Sequence, residues 1–99
     1  MEIKKVAVIG AGDMGHGIAE LFAVGGYDVR LMDKFPDMLE KGRGRIAASV
    51  AKLVERGKLS QDAAKAALSR LSYFGDMAKA VEGADMIVEA VPESRYHLD

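Results

Sequence analysis

Gly10, Gly12 and Gly15 stand in the run Gly10-Ala11-Gly12-Asp13-Met14-Gly15, a G-x-G-x-x-G spacing. Glycines so placed bring backbone amides close to an anion. The first permits a tight turn, the second lets the main chain approach a pyrophosphate, and the third lets a helix lie close to a strand. A helix starting there would offer unpaired N–H groups and its positive dipole end to phosphates. The spacing alone is a weak signal, because glycine is common in turns; a structural turn without a ligand is the plain alternative. Its context strengthens it. The apolar run Val6-Ala7-Val8-Ile9 precedes it, and Met14, Ile18, Leu21 and Phe22 follow at helical spacing.

Asp33 is the second chemical element, 18 residues after Gly15 and 23 after Gly10. A carboxylate at the end of a second strand can accept hydrogen bonds from both ribose hydroxyls of an adenosine. It repels a 2′-phosphate, so the expected cofactor is NAD rather than NADP. Arg30 and Lys34 lie nearby and soften that preference. Without the glycines, Asp33 would read as a turn or helix-entry aspartate.

These groups need a scaffold. A strand is predicted over residues 3–9, its continuous apolar run typical of a parallel strand buried on both faces. Gly25-Gly26 stops the helix that follows, and a second strand spans Asp28 to Asp33. Pro36 opens a long helix with Phe35 as a poor N-cap, and Leu39, Ile46, Val50, Leu53 and Val54 form its stripe. Gly42 and Gly44 weaken that helix by about 1 kcal/mol each relative to Ala. Gly57 ends it and Ser60 caps a short Ala-rich helix over residues 63–68. A third strand over residues 70–74, a helix capped by Asp76 and a fourth strand from Met86 to near Val91 complete the order β-α-β-αα-β-α-β. This implies an α/β, Rossmann-like parallel sheet, partial, of about four strands in the order 3-2-1-4, with a helical hairpin inserted after the second strand.

The chain has 99 residues, 49% apolar and 29% charged, with net charge −1 and no cysteine. That is one small globular domain, residues 1–99. The charge argues against a general nucleic-acid binder. Without cysteine there is neither a disulfide framework nor a thiolate metal site, and no metal site is expected. No apolar run approaches the ~20 residues of a membrane span, and the N-terminus does not resemble a signal peptide. The expected location is cytoplasmic.

Several motifs in order resemble 3-hydroxyacyl-CoA dehydrogenases, across residues 3 to 93. The run from Val6 through Gly10-Ala11-Gly12-Asp13-Met14-Gly15 to His16-Gly17-Ile18-Ala19 is similar to the family's opening. So is Gly26-Tyr27-Asp28-Val29 leading into Leu31-Met32-Asp33. Glu55-Arg56-Gly57-Lys58-Leu59-Ser60 resembles its helical insertion, and Glu82-Gly83-Ala84-Asp85-Met86-Ile87-Val88-Glu89-Ala90-Val91-Pro92-Glu93 its fourth strand and next turn. The resemblance implies an oxidoreductase of fatty-acid or butanoate metabolism that oxidises L-3-hydroxyacyl-CoA to 3-oxoacyl-CoA with NAD. It places Ala90, Val91 and Glu93 near the nicotinamide riboside. It places Ser49 and Arg56 at coenzyme A, with Lys52 one turn away on the same helix. Six basic residues against three acidic between Asp37 and Lys58 suit CoA phosphates, and equally an ordinary solvated helix face. The family's cofactor-contacting Lys, five residues after that Glu, is here Leu98.

The family's catalytic Ser, His–Glu pair and substrate-orienting Asn lie beyond its fourth strand, so no catalytic residue is assigned. His16 reads as a surface or phosphate-proximal residue and His97 as a terminal one. The chain is expected to be a truncated NAD-binding domain without the helical dimerisation and catalytic domain: weakly NAD-binding, inactive alone, and meeting acyl-CoA only in the complete enzyme. An exposed fourth strand of Met86, Ile87 and Val88 would invite self-association. Two alternatives stay open: a non-catalytic NAD-binding or interaction module, and another G-x-G-x-M-G hydroxyacid dehydrogenase, against which the helical hairpin argues.

Overall fold

The computed structural model describes residues 2–91. Its elements are β1 (Lys5–Ile9), α1 (Asp13–Val24), β2 (Asp28–Met32), α2 (Pro36–Glu55), α3 (Gln61–Ser69), β3 (Leu71–Phe74), α4 (Met77–Val81) and β4 (Met86–Glu89). All three strand pairings are parallel and the sheet order is β3-β2-β1-β4, as the element order implied. β1 is central, so its apolar residues are buried on both faces. Val6, Val8, Val29 and Leu31 face the layer of α1, α2 and α3, packing with Ala19, Ile46, Val50 and Ala67. Their neighbours Ala7, Ile9 and Met32 point to the opposite face and meet Ala80 of α4.

The strands are shorter than the apolar runs. β1 starts at Lys5, and Ile3 is exposed. β4 leaves the ladder after Glu89, two residues before Val91; the last bond to β1 runs from Ala90 N–H to Ile9 O at 2.8 Å. β4 is not a fully buried strand either. Met86 and Val88 pack against the core, while Ile87 on the other face is 54% exposed, as befits an edge. Asp85 fixes its start. One carboxylate oxygen accepts the amides of Lys4 and Lys5, each at 2.9 Å, and those bonds hold its pKa below the ordinary value.

The expected apolar stripe of α1 needs correction. Ile18 and Phe22 do pack on the core, but Met14 is 61% and Leu21 74% exposed. The buried positions are Gly15, Ala19 and Ala23, spaced four apart. Small residues on that face let the helix axis come close to the sheet, and the large side chains fall outside the contact. The rest of the punctuation matches its residues. Gly26 and Gly57 take positive φ after α1 and α2. Ser60 accepts the Ala63 amide at 3.1 Å, and Asp76 that of Ala78 at 3.3 Å. Phe35 is the N-cap of α2 and supplies no side-chain bond.

Candidate dinucleotide site

The glycine turn leaves the carboxyl end of β1 and enters α1. In a sheet of order 3-2-1-4 the chain direction of travel reverses between β1 and β4, and the crevice beyond those strand ends is where open α/β sheets bind ligands. Gly10 closes that crevice at its base. Its φ is +107°, and a Cβ there would lie 3.0 Å from the carbonyl carbon and oxygen of Ala90. Gly15 is required by packing: its Cβ would fall 1.6 Å from the Gly10 oxygen. Gly12 differs from both. Among the described residues a Cβ there would meet only the Met38 methyl, at 3.5 Å, and both residues line a cleft of about 340 Å³ with Asp13, Met14 and Ala90. Packing among the described residues therefore does not require glycine at position 12.

α1 has no side-chain N-cap. Its first ladder bond runs from His16 N–H to Gly12 O at 3.1 Å, so the amides of Asp13, Met14 and Gly15 precede the ladder and stand at the positive end of the helix. The His16 ring is tied to the same turn: its Nδ1 lies 2.8 Å from the Gly12 oxygen, which only accepts, so Nδ1–H donates.

Asp33 follows β2 and is 2% exposed. One carboxylate oxygen accepts the Ala11 amide at 2.9 Å, and the other the Phe35 amide at 2.9 Å. The sequence did not reveal this role: Asp33 braces the glycine turn against the start of α2. Gly42 is more than a weak point in α2. It is buried, and a Cβ there would lie 2.8 Å from the Ala11 oxygen and 3.2 Å from the Ala11 Cβ. The glycine lets α2 back directly onto the turn, a helix-to-turn contact that no local pattern signals.

The remaining site residues separate into groups. Ala90 is buried and lines the cleft; Val91 is half-buried and packs on the α4 side of the sheet. Glu93, His97 and Leu98 lie outside the described residues. Ser49 and Lys52 line a second cleft of about 500 Å³, between α1 and α2, with Asp13, His16, Arg45 and Ala48. Ser49 Oγ donates to Glu20 at 2.8 Å. Arg56 is the C-cap of α2, two helical turns beyond Ser49, and is not among the residues lining that cleft. Arg45 donates to the Asp13 carboxylate across the gap between the helices. That hydrogen bond and the Arg45 charge hold Asp13 below the usual carboxylate range. Among the described residues there is no cluster suited to a metal ion and no helix long and apolar enough to cross a membrane.

Residues 5–97 match the family model described as the 3-hydroxyacyl-CoA dehydrogenase NAD-binding domain. A probable 3-hydroxybutyryl-CoA dehydrogenase of Bacillus subtilis is 38% identical over 94 residues, covering 95% of this chain and 32% of that protein. Among solved structures, the (S)-3-hydroxybutyryl-CoA dehydrogenase of Ralstonia eutropha aligns with TM-score 0.87 and 32% identity, over 93% of this chain and 32% of that one. A 3-hydroxybutyryl-CoA dehydrogenase of Escherichia coli aligns with TM-score 0.88 and 38% identity, over 94% and 20%. The chain thus spans about a third of the length of the curated relatives it matches first.

Proposed function

The chain belongs to the family of 3-hydroxyacyl-CoA dehydrogenase NAD-binding domains, and from that premise we propose that it supplies the cofactor half of an enzyme oxidising L-3-hydroxyacyl-CoA to 3-oxoacyl-CoA. The observation that carries this reading is the cleft at the β1–β4 switch point, with Gly12 bare beneath it and three helix-end amides beside it. These residues fit NAD. The main chain of Gly10, Ala11, Gly12, Asp13, Met14 and Gly15, not their side chains, would hold the pyrophosphate. Asp33, fixed against the turn through the Ala11 amide, would accept from the adenosine ribose. Ala90, Val91 and Glu93 would lie on the nicotinamide side. Bound NAD supplies a hydride acceptor; this chain's part is to bind and orient it.

The groups that take the alcohol proton belong, in this reading, to family sequence beyond the fourth strand, so residues 1–99 alone are catalytically silent. Ser49, Lys52 and Arg56 recur along one face of α2, at spacings of three and four residues. They are proposed as contacts to the CoA portion of the substrate in the complete enzyme. The proposed compartment is the cytoplasm. The β4 edge, with Ile87 exposed, is proposed to self-associate in the 99-residue chain.

Titrating the 99-residue chain with NAD+ and NADP+ tests the cofactor reading. NAD+ should bind, with NADP+ at least about tenfold weaker, a difference of about 1.4 kcal/mol. Equal affinities would refute the role given to Asp33. Mixing the same chain with acetoacetyl-CoA and NADH should produce no NADH oxidation; turnover would contradict the assignment of catalysis to other sequence.

A further inference from the structure

Asp13 is an awkward neighbour for a pyrophosphate. It is the first residue of α1 and borders both clefts, the one beside Gly12 and the one between α1 and α2. A carboxylate in the first turn is itself attracted to the positive end of the helix, so it competes with any anion bound there. Arg45, half way along α2, reaches across the gap and pairs with it. Lys41 adds a weaker positive field at Asp13. The Asp13 side chain is 93% exposed, and Arg45 both favours its ionised form and draws it toward α2.

We propose that Arg45 is a positioning residue for the dinucleotide: by pairing with Asp13 it offsets and holds a carboxylate that would otherwise oppose the pyrophosphate at the start of α1. Arg45 thereby sets the affinity of the NAD cleft from the far side of the α1–α2 cleft without lining the NAD cleft itself. The inference rests on the reading of that cleft as the NAD site.

The sign of its effect separates this role from simple bracing. Removing Arg45 exposes the pyrophosphate to an uncompensated charge. In water, at distances near contact, one unit charge changes binding about three- to fivefold. Removing the Asp13 charge as well should abolish the penalty. The experiment is calorimetric titration of the full 99-residue chain with NAD+ at about 0.01 M and again at about 1 M salt, where screening lengths differ about tenfold. Each variant's thermal melt is recorded alongside.

At low salt R45A should bind NAD+ about three- to fivefold more weakly than the unsubstituted chain. D13N should bind at least as tightly as the unsubstituted chain, and R45K should retain most of the affinity. D13N/R45A should recover to within about twofold, and high salt should compress all these differences. D13N tests the sign even if R45A fails to fold. A brace predicts the reverse: D13N as weak as R45A, no recovery in the double variant, and little response to salt. Either of the first two results overturns the proposal. If the unsubstituted chain does not bind NAD+, the reading of the cleft fails and the proposal fails with it; binding without recovery in the double variant removes the proposal alone.

Discussion

Two glycines two residues apart in α2 should respond to the same substitution with opposite signs. Gly42 and Gly44 both lie inside the helix Pro36–Glu55, so replacement by alanine gains about 1 kcal/mol of helix propensity at either position. At Gly44 no heavy atom of the described residues lies within 4 Å of the added Cβ, and that gain should appear as stability. At Gly42 the Cβ would sit 2.8 Å from the Ala11 oxygen and 3.2 Å from the Ala11 Cβ. Both partners are held: the Ala11 amide is bonded to Asp33, and the residue is buried. Overpacking of this kind costs about 1–3 kcal/mol. The propensity gain is common to both variants and cancels in the comparison. G42A should therefore be about 1–3 kcal/mol less stable than G44A. For a chain of this size that is at least about 4 °C in melting temperature. The assay is urea unfolding followed by far-UV circular dichroism, with equal slopes required for the comparison. G42A should also bind NAD+ more weakly than G44A, because the turn is what gives way. If G42A is as stable as G44A, the close approach of α2 to the turn is not a real constraint and the argument for Gly42 fails.

Other perturbations have equally definite outcomes. D33N leaves a buried amide NH2 facing a backbone donor. It should lower stability by about 1–3 kcal/mol in urea unfolding, whether or not NAD+ is present. Asp85 has a folded pKa below its ordinary value of 3.8, so its stabilising contribution is complete above that value and is lost as pH falls through the folded one. Urea midpoints from pH 6 down to about 2 should thus fall more steeply for the unsubstituted chain than for D85N; parallel slopes would count against the Lys4 and Lys5 amide contacts. Ile87 is exposed on the edge strand, so I87K should shift sedimentation toward the monomer. A concentration-independent monomer mass for the unsubstituted chain would dispose of the proposed edge pairing.

Some of this was legible in the sequence because the information is local. Val6 to Ile9 is apolar without alternation, which only a strand covered on both faces explains. Gly25-Gly26, Gly57, Ser60 and Asp76 announce their boundaries through backbone and capping chemistry. The glycine turn was readable because its spacing and flanking elements agree. What the sequence hid is tertiary. The packing face of α1 is Gly15, Ala19 and Ala23, and a search for large apolar residues selects Met14 and Leu21 instead, which solvent and the cleft receive. The sequence suggested a ribose role for Asp33, which stays a proposal, and did not show it as the brace of the turn, since its partners are backbone amides at positions 11 and 35. Gly42 looked like a defect because its reason lies 31 residues away at Ala11. The Asp13–Arg45 pair joins two helices at a separation no helical period encodes.

The most direct test of the account is an NAD+ titration of G12A beside the unsubstituted chain. Gly12 is the one glycine of the turn whose Cβ would clash with nothing among the described residues, its nearest contact there being Met38 at 3.5 Å. Its φ of −74° suits any residue, and the loss of a glycine N-cap should cost no more than about 1 kcal/mol. The account predicts a melting temperature within about 8 °C of the unsubstituted chain, together with at least about tenfold weaker NAD+ binding. Equal affinity in the two proteins would show that the dinucleotide does not lie against Gly12, and would contradict the site.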